Sequence, residues 1–504
     1  MQPRALLPGG LLALSLLACS TPGPSKGEPK PSGERPPNIV FFLADDLGYG
    51  EVGAFGSELI PTPHIDSIAA GGMRLTQHYS GSPVCASSRC VLLTGLHTGH
   101  CEVRNNWENG GWGEGEPEGQ WPLAAGTATL ARQLKDAGYA TGAVGKWGLG
   151  GPGTTGAPEN QGFDFFCGYL CQRIAHNHYP THLWRNGERL PLGDNPWYDS
   201  HQRLAEPLET EEEYYARYDA GVYAHDVMKE EALTFLREHA DEPFFLYYAS
   251  PIPHASLQVP PEWLEPFPRE WDEAPYLGTK GYLPHPRPRA AYAAMVAHLD
   301  AEVGAVLDTL EELGVADDTL VVFTSDNGPT FNGGTDSTFF ASAAGMRGLK
   351  CSVHEGGIKV PTVASWPGRI TAGSSSSFAS AFEDWLPTLL DVAGAQPRGA
   401  TDGVSLVPTL TGRGQQVPHD HLYWEYAGQQ AVRQGRWKAV RTRLRKGDLT
   451  TLLFDLESDP NEKRNVAEDE PVVLARMEAL FLAARTPSEQ FPLPAIDTPI
   501  EAGG

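Results

Sequence analysis

The chain predicts an α/β fold, a mainly parallel sheet sandwiched by helices, with a smaller C-terminal α+β subdomain. Strand-length apolar runs such as NIVFFL (38–43) and PFFLYYAS (243–250) lack the alternation of a half-exposed strand, so both of their faces must be covered. Amphipathic helical patterns stand between them, the order that builds parallel sheets. After about residue 405 the pattern changes to short, half-exposed strands.

Taken in order, NIVFFL is the first buried strand and runs into ADDLG (44–48). ATLARQLKDAG (128–138) reads as a helix, and YATGAVG (139–145) as the strand after it. PFFLYYAS supplies a further strand. Between residues 292 and 310, Tyr292, Met295, Val296, Leu299, Val303, Val306, Leu307 and Leu310 share one helical face. DDTLVVFTSDNG (317–328) holds another strand, and FEDWLPTLLDVAG (382–394) is a helix stopped by glycine. QAVRQGRWKAVRTR and TLLFDLES read as the C-terminal strands, and PVVLARMEALFLAAR as a closing helix. The expected division is residues 1–18, 19–37, 38–404 and 405–504.

The first two of these divisions concern export. MQPRALLPGGLLALSLLACS has one basic residue and then an apolar run too short to span a bilayer comfortably, which is the form of a secretory signal. LLAC (16–19) resembles a bacterial lipobox, so Cys19 is the expected lipidated first residue, in the periplasm or on the outer membrane of a bacterium; ordinary cleavage near Ala18 is the alternative. The Pro/Gly/Ser/Lys stretch that follows reads as a flexible tether. No other segment reads as a membrane span. Formal charge is −25, from 38 Lys and Arg against 63 Asp and Glu, which argues against nucleic acid as a partner. An anionic substrate would need a local cluster of cations. Seven cysteines are present, and they fix no disulfide framework.

Two acidic pairs follow apolar strands directly: Asp45 and Asp46, then Asp326 and Asn327. Either alone reads better as a turn. Placed twice beyond strand ends, where parallel sheets gather ligands, they suit a hard cation such as Ca²⁺ or Mg²⁺. Cys85 opens a helical stretch. A zinc site with Cys90, His97, His100 and Cys101 lacks short paired spacing, and Cys85 and Cys90 would point about 140° apart on a helix. A thiolate lowered in pKa by the helix N-terminus and Arg89 remains open.

CASSRCVLLTG (85–95) resembles the signature of the type I, formylglycine-dependent sulfatases, which are arylsulfatase-like and belong to the alkaline-phosphatase-like superfamily. Six further segments resemble that family in order, roughly from residue 36 to 470: NIVFFLADDLGYG, GKWGLG, SPIPHASLQVP, SDNGP, RGLKCSVHEGGIKVP and LFDLESDPNEKRNV. The resemblance implies an alkaline-phosphatase-like fold and hydrolysis of a sulfuric ester. It implies that a maturation enzyme converts Cys85 to formylglycine, whose hydrate is the nucleophile. Asp45, Asp46, Asp326, Asn327 and the converted Cys85 would bind Ca²⁺. Arg89, Lys146 and Lys350 would surround the nucleophile and sulfate, and His254 would act on the leaving group.

Two positions depart from the family pattern: Ser87 stands where its signature has proline, and Gly148 where it has a histidine. His97, His100, His176 and His178 are candidates for that missing histidine's role. CQRIAHNHYPTHLWRN (171–186) reads as a packed loop or as a sugar-binding edge, with His176 or His178 holding a hydroxyl. Export favours a sulfated glycan as substrate. The alternatives are a phosphonate or phosphodiester hydrolase on the same fold, and a non-catalytic glycan-binding lipoprotein if Cys85 stays unmodified.

Overall fold

The computed structural model describes Met1 and residues 35–497; the expected signal segment, Cys19 and the tether up to residue 34 lie outside the described residues. Residues 36–497 belong to one compact unit. Its frame is a ten-stranded sheet of β1 (Asn38–Ala44), β2 (Met73–Leu75), β3 (Ala140–Lys146), β4 (Phe165–Tyr169), β5 (His182–Arg185), β6 (Glu188–Pro191), β7 (Phe244–Ala249), β8 (Thr319–Ser325), β9 (Val363–Ser365) and β10 (Ser374–Ser376). The spatial order is β10-β2-β9-β8-β1-β7-β3-β4-β5-β6. The five strands β8-β1-β7-β3-β4 are mutually parallel, whereas β9, β5 and β6 join antiparallel.

Strand alternation divides β1 between two cores. Val40, Phe42 and Ala44 face a layer containing the helices α1 (Pro63–Gly71), α4 (Ala224–Glu238) and α5 (Pro288–Glu312). Ile39, Phe41 and Leu43 face α2 (Cys85–Thr94), α3 (Leu130–Asp136) and α6 (Trp385–Val392). Both faces are therefore dry, which is why β1 is apolar at successive positions from Ile39 to Ala44. All of the expected α5 face is in the first core except Leu307, which packs at its margin. By length and composition α5 could cross a bilayer, a property missed in the sequence; here it is a core helix.

The C-terminal strands β11 (Leu422–Tyr426), β12 (Gln429–Gln434), β13 (Trp437–Arg441) and β14 (Leu452–Asp455) make a separate antiparallel sheet. Alternation works here as well: Trp424, Ala431, Val440 and Phe454 pack toward Tyr79 and Ile358. Tyr423, Val432, Ala439 and Leu453 pack under the helix α7 (Pro471–Ala483).

Candidate active site

Four neighbouring parallel strands end together. Asp326 follows β8, Asp45 and Asp46 follow β1, the His254 loop follows β7, and Lys146 closes β3. The register places Ala44 beside Ser325, so the two acidic pairs emerge side by side. Backbone bonds hold them there: Asp326 N–H donates to Ala44 O at 2.9 Å, and Asp45 N–H to Ile252 O at 3.0 Å. Asp46 has φ +68°, a left-handed conformation that aspartate tolerates better than most residues. Its N–H donates to Asp326 Oδ1 at 3.1 Å.

Cys85 is the first residue of α2 and is buried. Its Sγ donates to Asp45 Oδ1 at 3.3 Å and lies 3.5 Å from Lys350 Nζ. The Lys350 loop is tied to the helix entrance, since Cys351 N–H donates to Pro83 O at 2.9 Å. Asn106 Oδ1 accepts from Ala86 N–H at 2.8 Å, satisfying one of the open donors of the first helical turn.

Three cations meet three carboxylates. Lys146 Nζ is 2.5 Å from Asp45 Oδ2, and Lys350 Nζ is 2.8 Å from Asp46 Oδ2. Arg89, one turn beyond Cys85, sends Nε and Nη2 to Asp326 Oδ2 at 3.1 and 2.9 Å and Nη1 to Lys146 O. It lies wholly buried behind the carboxylates, whereas Lys146 and Lys350 line the open cavity above Cys85.

Burial opposes ionisation of Asp45, yet Lys146, His254, Arg89 and Lys350 outweigh it and hold the carboxyl below its usual range. Asp326 is pushed up to about 6, first by burial and then by Asp45. Burial raises the Cys85 thiol well above its ordinary pKa, and Asp326 and Asp45 add to the effect. The sequence left open a thiolate activated by the helix end and Arg89; that expectation is corrected, because Arg89 is spent on Asp326 and carboxylates face the sulfur.

The cluster fits a hard cation. Asn327 Nδ2 donates to Asp46 Oδ1 at 2.7 Å and to Gly328 O at 2.9 Å, while its buried Oδ1 has no hydrogen-bond partner. An orphaned amide oxygen beside three carboxylates is an oxygen donor set of the kind that hard divalent ions take. The ligand atoms of Asp45, Asp46, Cys85 and His254 lie within 4.8 Å of one another. Since the six charged side chains already balance, a divalent ion would leave a net positive site facing the cavity.

His254 is buried, its Nδ1 donating to Ala255 O at 2.6 Å and its Nε2 3.5 Å from Asp46 Oδ2. Its pKa is lowered to about 4, first by burial and then by Lys350. His176 stacks on it, ring centres 4.5 Å apart and planes 8° from parallel, and lines the same cavity. Loss of solvent, then the charges of His254 and Lys146, carries the His176 pKa well below the ordinary value.

Of the four histidines considered for the role missing at Gly148, only His176 lines this cavity. His97 and His100 lean on Asp402. His178 is buried between His225, at 2.7 Å, and His254 O, at 3.1 Å, so it has no free edge for a sugar hydroxyl. Gly148 itself has φ +80°, and a Cβ there would come within 2.9 Å of Gln172. The five residues of the rejected zinc site do not converge, because Cys90 and Cys101 lie in the core. Asn106, Gln172 and Tyr282 line the cavity and escaped the sequence reading; they sit in irregular loops with no periodicity or motif to mark them.

A buried acid–cation cluster, a helix-end side chain inside it and an open cavity above, all beyond the carboxyl ends of parallel strands, define a hydrolase site for an anionic ester. Residues 37–395 match the family described as Sulfatase, and residues 349–480 the N-sulphoglucosamine sulphohydrolase C-terminal family. Human arylsulfatase A is 33% identical over 89% of this chain and 87% of its own. An N-acetylgalactosamine-6-O-sulfatase of Bacteroides thetaiotaomicron is 27% identical over 89% and 93%. The crystal structure of Ps i-CgsB in complex with k-i-k-neocarrahexaose superposes with a TM-score of 0.70 at 25% identity, covering 89% of this chain and 93% of that one. Phosphonate monoester hydrolase of Agrobacterium radiobacter shares the fold, with a TM-score of 0.61 at 22% identity over 89% and 95%. The chain belongs to the sulfatase family and is a sulfuric ester hydrolase of alkaline-phosphatase-like fold.

Proposed function

We propose that the protein removes O-sulfate from a sulfated carbohydrate outside the cytoplasm, through a formylglycine made from Cys85 by a maturation enzyme and a Ca²⁺ ion held by Asp45, Asp46, Asp326 and Asn327. The observation that carries this reading is the placement of Cys85, within reach of Asp45 and Lys350 at the entrance of α2. A thiol held protonated there is a poor nucleophile, whereas a hydrated aldehyde would supply an oxygen to attack sulfur and a further ligand to the ion. One relative is named for the sulfate of N-acetylgalactosamine and one structural neighbour is bound to neocarrahexaose, which supports the substrate class.

In this reading each side chain has a separable task. Lys146 and Lys350 turn from their carboxylates toward the sulfate oxygens and neutralise charge as it develops. Arg89 is a positioning residue: its guanidinium fixes Asp326 and the end of β3, so that the acidic cage keeps its shape. His254, with Nδ1–H anchored on Ala255 O, presents Nε2 to the departing oxygen. His176 backs that ring and, as the only one of the four candidate histidines lining the cavity, takes the position nearest to the role vacant at Gly148. The lipobox at Cys19 is the proposed membrane attachment.

The test is parallel hydrolysis of matched aryl sulfate and aryl phosphonate esters, together with a sulfated monosaccharide, by calcium-loaded protein. Sulfate release from the aryl ester and the sugar is expected. A preference for the phosphonate would move the function to the related hydrolases, and failure on every ester would favour a glycan-binding protein without catalysis.

A further inference from the structure

A cavity of about 360 Å³ neighbours the one above Cys85. The two share a stretch of chain: Gln172 and His176 line the active cavity, and Arg173 and Asn177 line the neighbour. One peptide unit, about 3.8 Å between Cα atoms, therefore separates the walls of the two cavities. The two cavities thus border one segment of chain, residues 172–177.

Trp112 and Trp197 both line the second cavity, and they are 38% and 42% exposed, unusual for side chains of that size. The Arg173 guanidinium lies 4.9 Å from the centre of the Trp112 ring and steadies it, while Arg173 Nε is buried without a hydrogen-bond partner. Glu116 is spent on the backbone N–H groups of Trp112 and Gly113, at 3.2 and 3.1 Å. Glu118 is spent on His182, at 2.9 Å. A concave site with two partly exposed indoles, one of them backed by Arg173, matches the C–H faces of a sugar ring. Its charge is the reverse of the active cavity's, with Glu114, Glu116, Glu118 and Asp199 outnumbering Arg173 and Arg189. A second sulfate or a uronate would meet repulsion there.

We propose that this cavity is a second carbohydrate subsite, which stacks an uncharged sugar ring adjoining the sulfated one on Trp112 and Trp197. The proposal rests on the sulfated-carbohydrate reading above for its place in catalysis, but its binding can be measured without turnover.

Two arms test it on the calcium-loaded full chain. In the first, a desulfated, uncharged galactan tetrasaccharide is titrated by calorimetry into the native protein and into the Trp112→Ala/Trp197→Ala double variant. Binding to the native protein is expected, weakened at least tenfold in the variant, since one lost aromatic contact is worth about a factor of ten. In the second, KM and kcat are compared for a sulfated monosaccharide, a tetrasaccharide with uncharged neighbouring rings and a tetrasaccharide with uronate neighbours. Only the uncharged tetrasaccharide should gain over the monosaccharide. The double variant should raise its KM about tenfold and leave kcat on an aryl sulfate unchanged, and Trp112→Phe/Trp197→Phe should restore most of the loss. Absence of binding in the first arm, or equal gain from the uronate tetrasaccharide, would overturn the subsite. Binding in the first arm without sulfate release in the second would instead overturn the substrate reading and leave the subsite standing.

Discussion

Replacing His254 with alanine separates the leaving-group role from mere placement in the site. The ring is held by Nδ1–H on Ala255 O at 2.6 Å and by its stack on His176, so Nε2, 3.5 Å from Asp46 Oδ2, is the edge left for a proton. In the free protein the group sits at about 4, lowered by burial and then by Lys350, and so is neutral near pH 7. An arriving sulfate ester places negative charge beside Lys350, offsets the lowering and lets Nε2 take a proton. A sugar alkoxide needs that proton as the S–O bond breaks, whereas nitrophenolate leaves unaided. General acid catalysis is worth about 10²–10⁴-fold, or about 3–5 kcal/mol of barrier. His254→Ala should lose that much kcat/KM on a sulfated sugar and less than about tenfold on nitrophenyl sulfate. Sulfate release is read by ion chromatography and nitrophenolate by absorbance, on preparations matched in Cys85 conversion and metal content. Equal losses on both substrates would refute the assignment and leave His254 as a residue that shapes the site.

Two further outcomes follow from the same geometry. Asp326→Ala removes a cage carboxylate and both contacts of Arg89 with it, leaving a buried guanidinium with the Lys146 carbonyl and, as its remaining carboxylate, the 3.6 Å approach of Asp45. Elemental analysis should show loss of bound calcium, and thermal unfolding a destabilisation of about 3–5 kcal/mol; undiminished calcium content would contradict the cage. Cys19→Ala should move the protein from the membrane fraction to the soluble fraction, and retention after normal processing would count against the lipobox.

The central strands were legible because burial on both faces leaves a continuous apolar run in them, IVFFL in β1 and LVVF in β8. Strands β2, β9 and β10 were not: each has three residues and contains serine or arginine, and pairing alone makes them strands. The acidic pairs were legible from their position after β1 and β8, since a strand end fixes where its next two side chains emerge. What sequence could not show was how charge is shared out. Arg89 stands one turn from Cys85, a spacing that implied contact with the sulfur, but its length carries the guanidinium down to Asp326 and Lys146. Asn106 and Gln172 reach the site from loops whose course depends on long-range packing. Gly148 could be read as a departure from the family, yet only its φ of +80° and the nearness of Gln172 show that a side chain there would be strained and crowded.

The central claim is that Cys85 works as an aldehyde. Peptide mass spectrometry of the active protein, with hydrazide capture of the peptide containing Cys85, tests it most directly. The account predicts a captured aldehyde at Cys85 whose fraction rises in step with sulfate released per molecule across preparations of differing conversion. Full sulfatase activity from protein carrying only a free Cys85 thiol would contradict it.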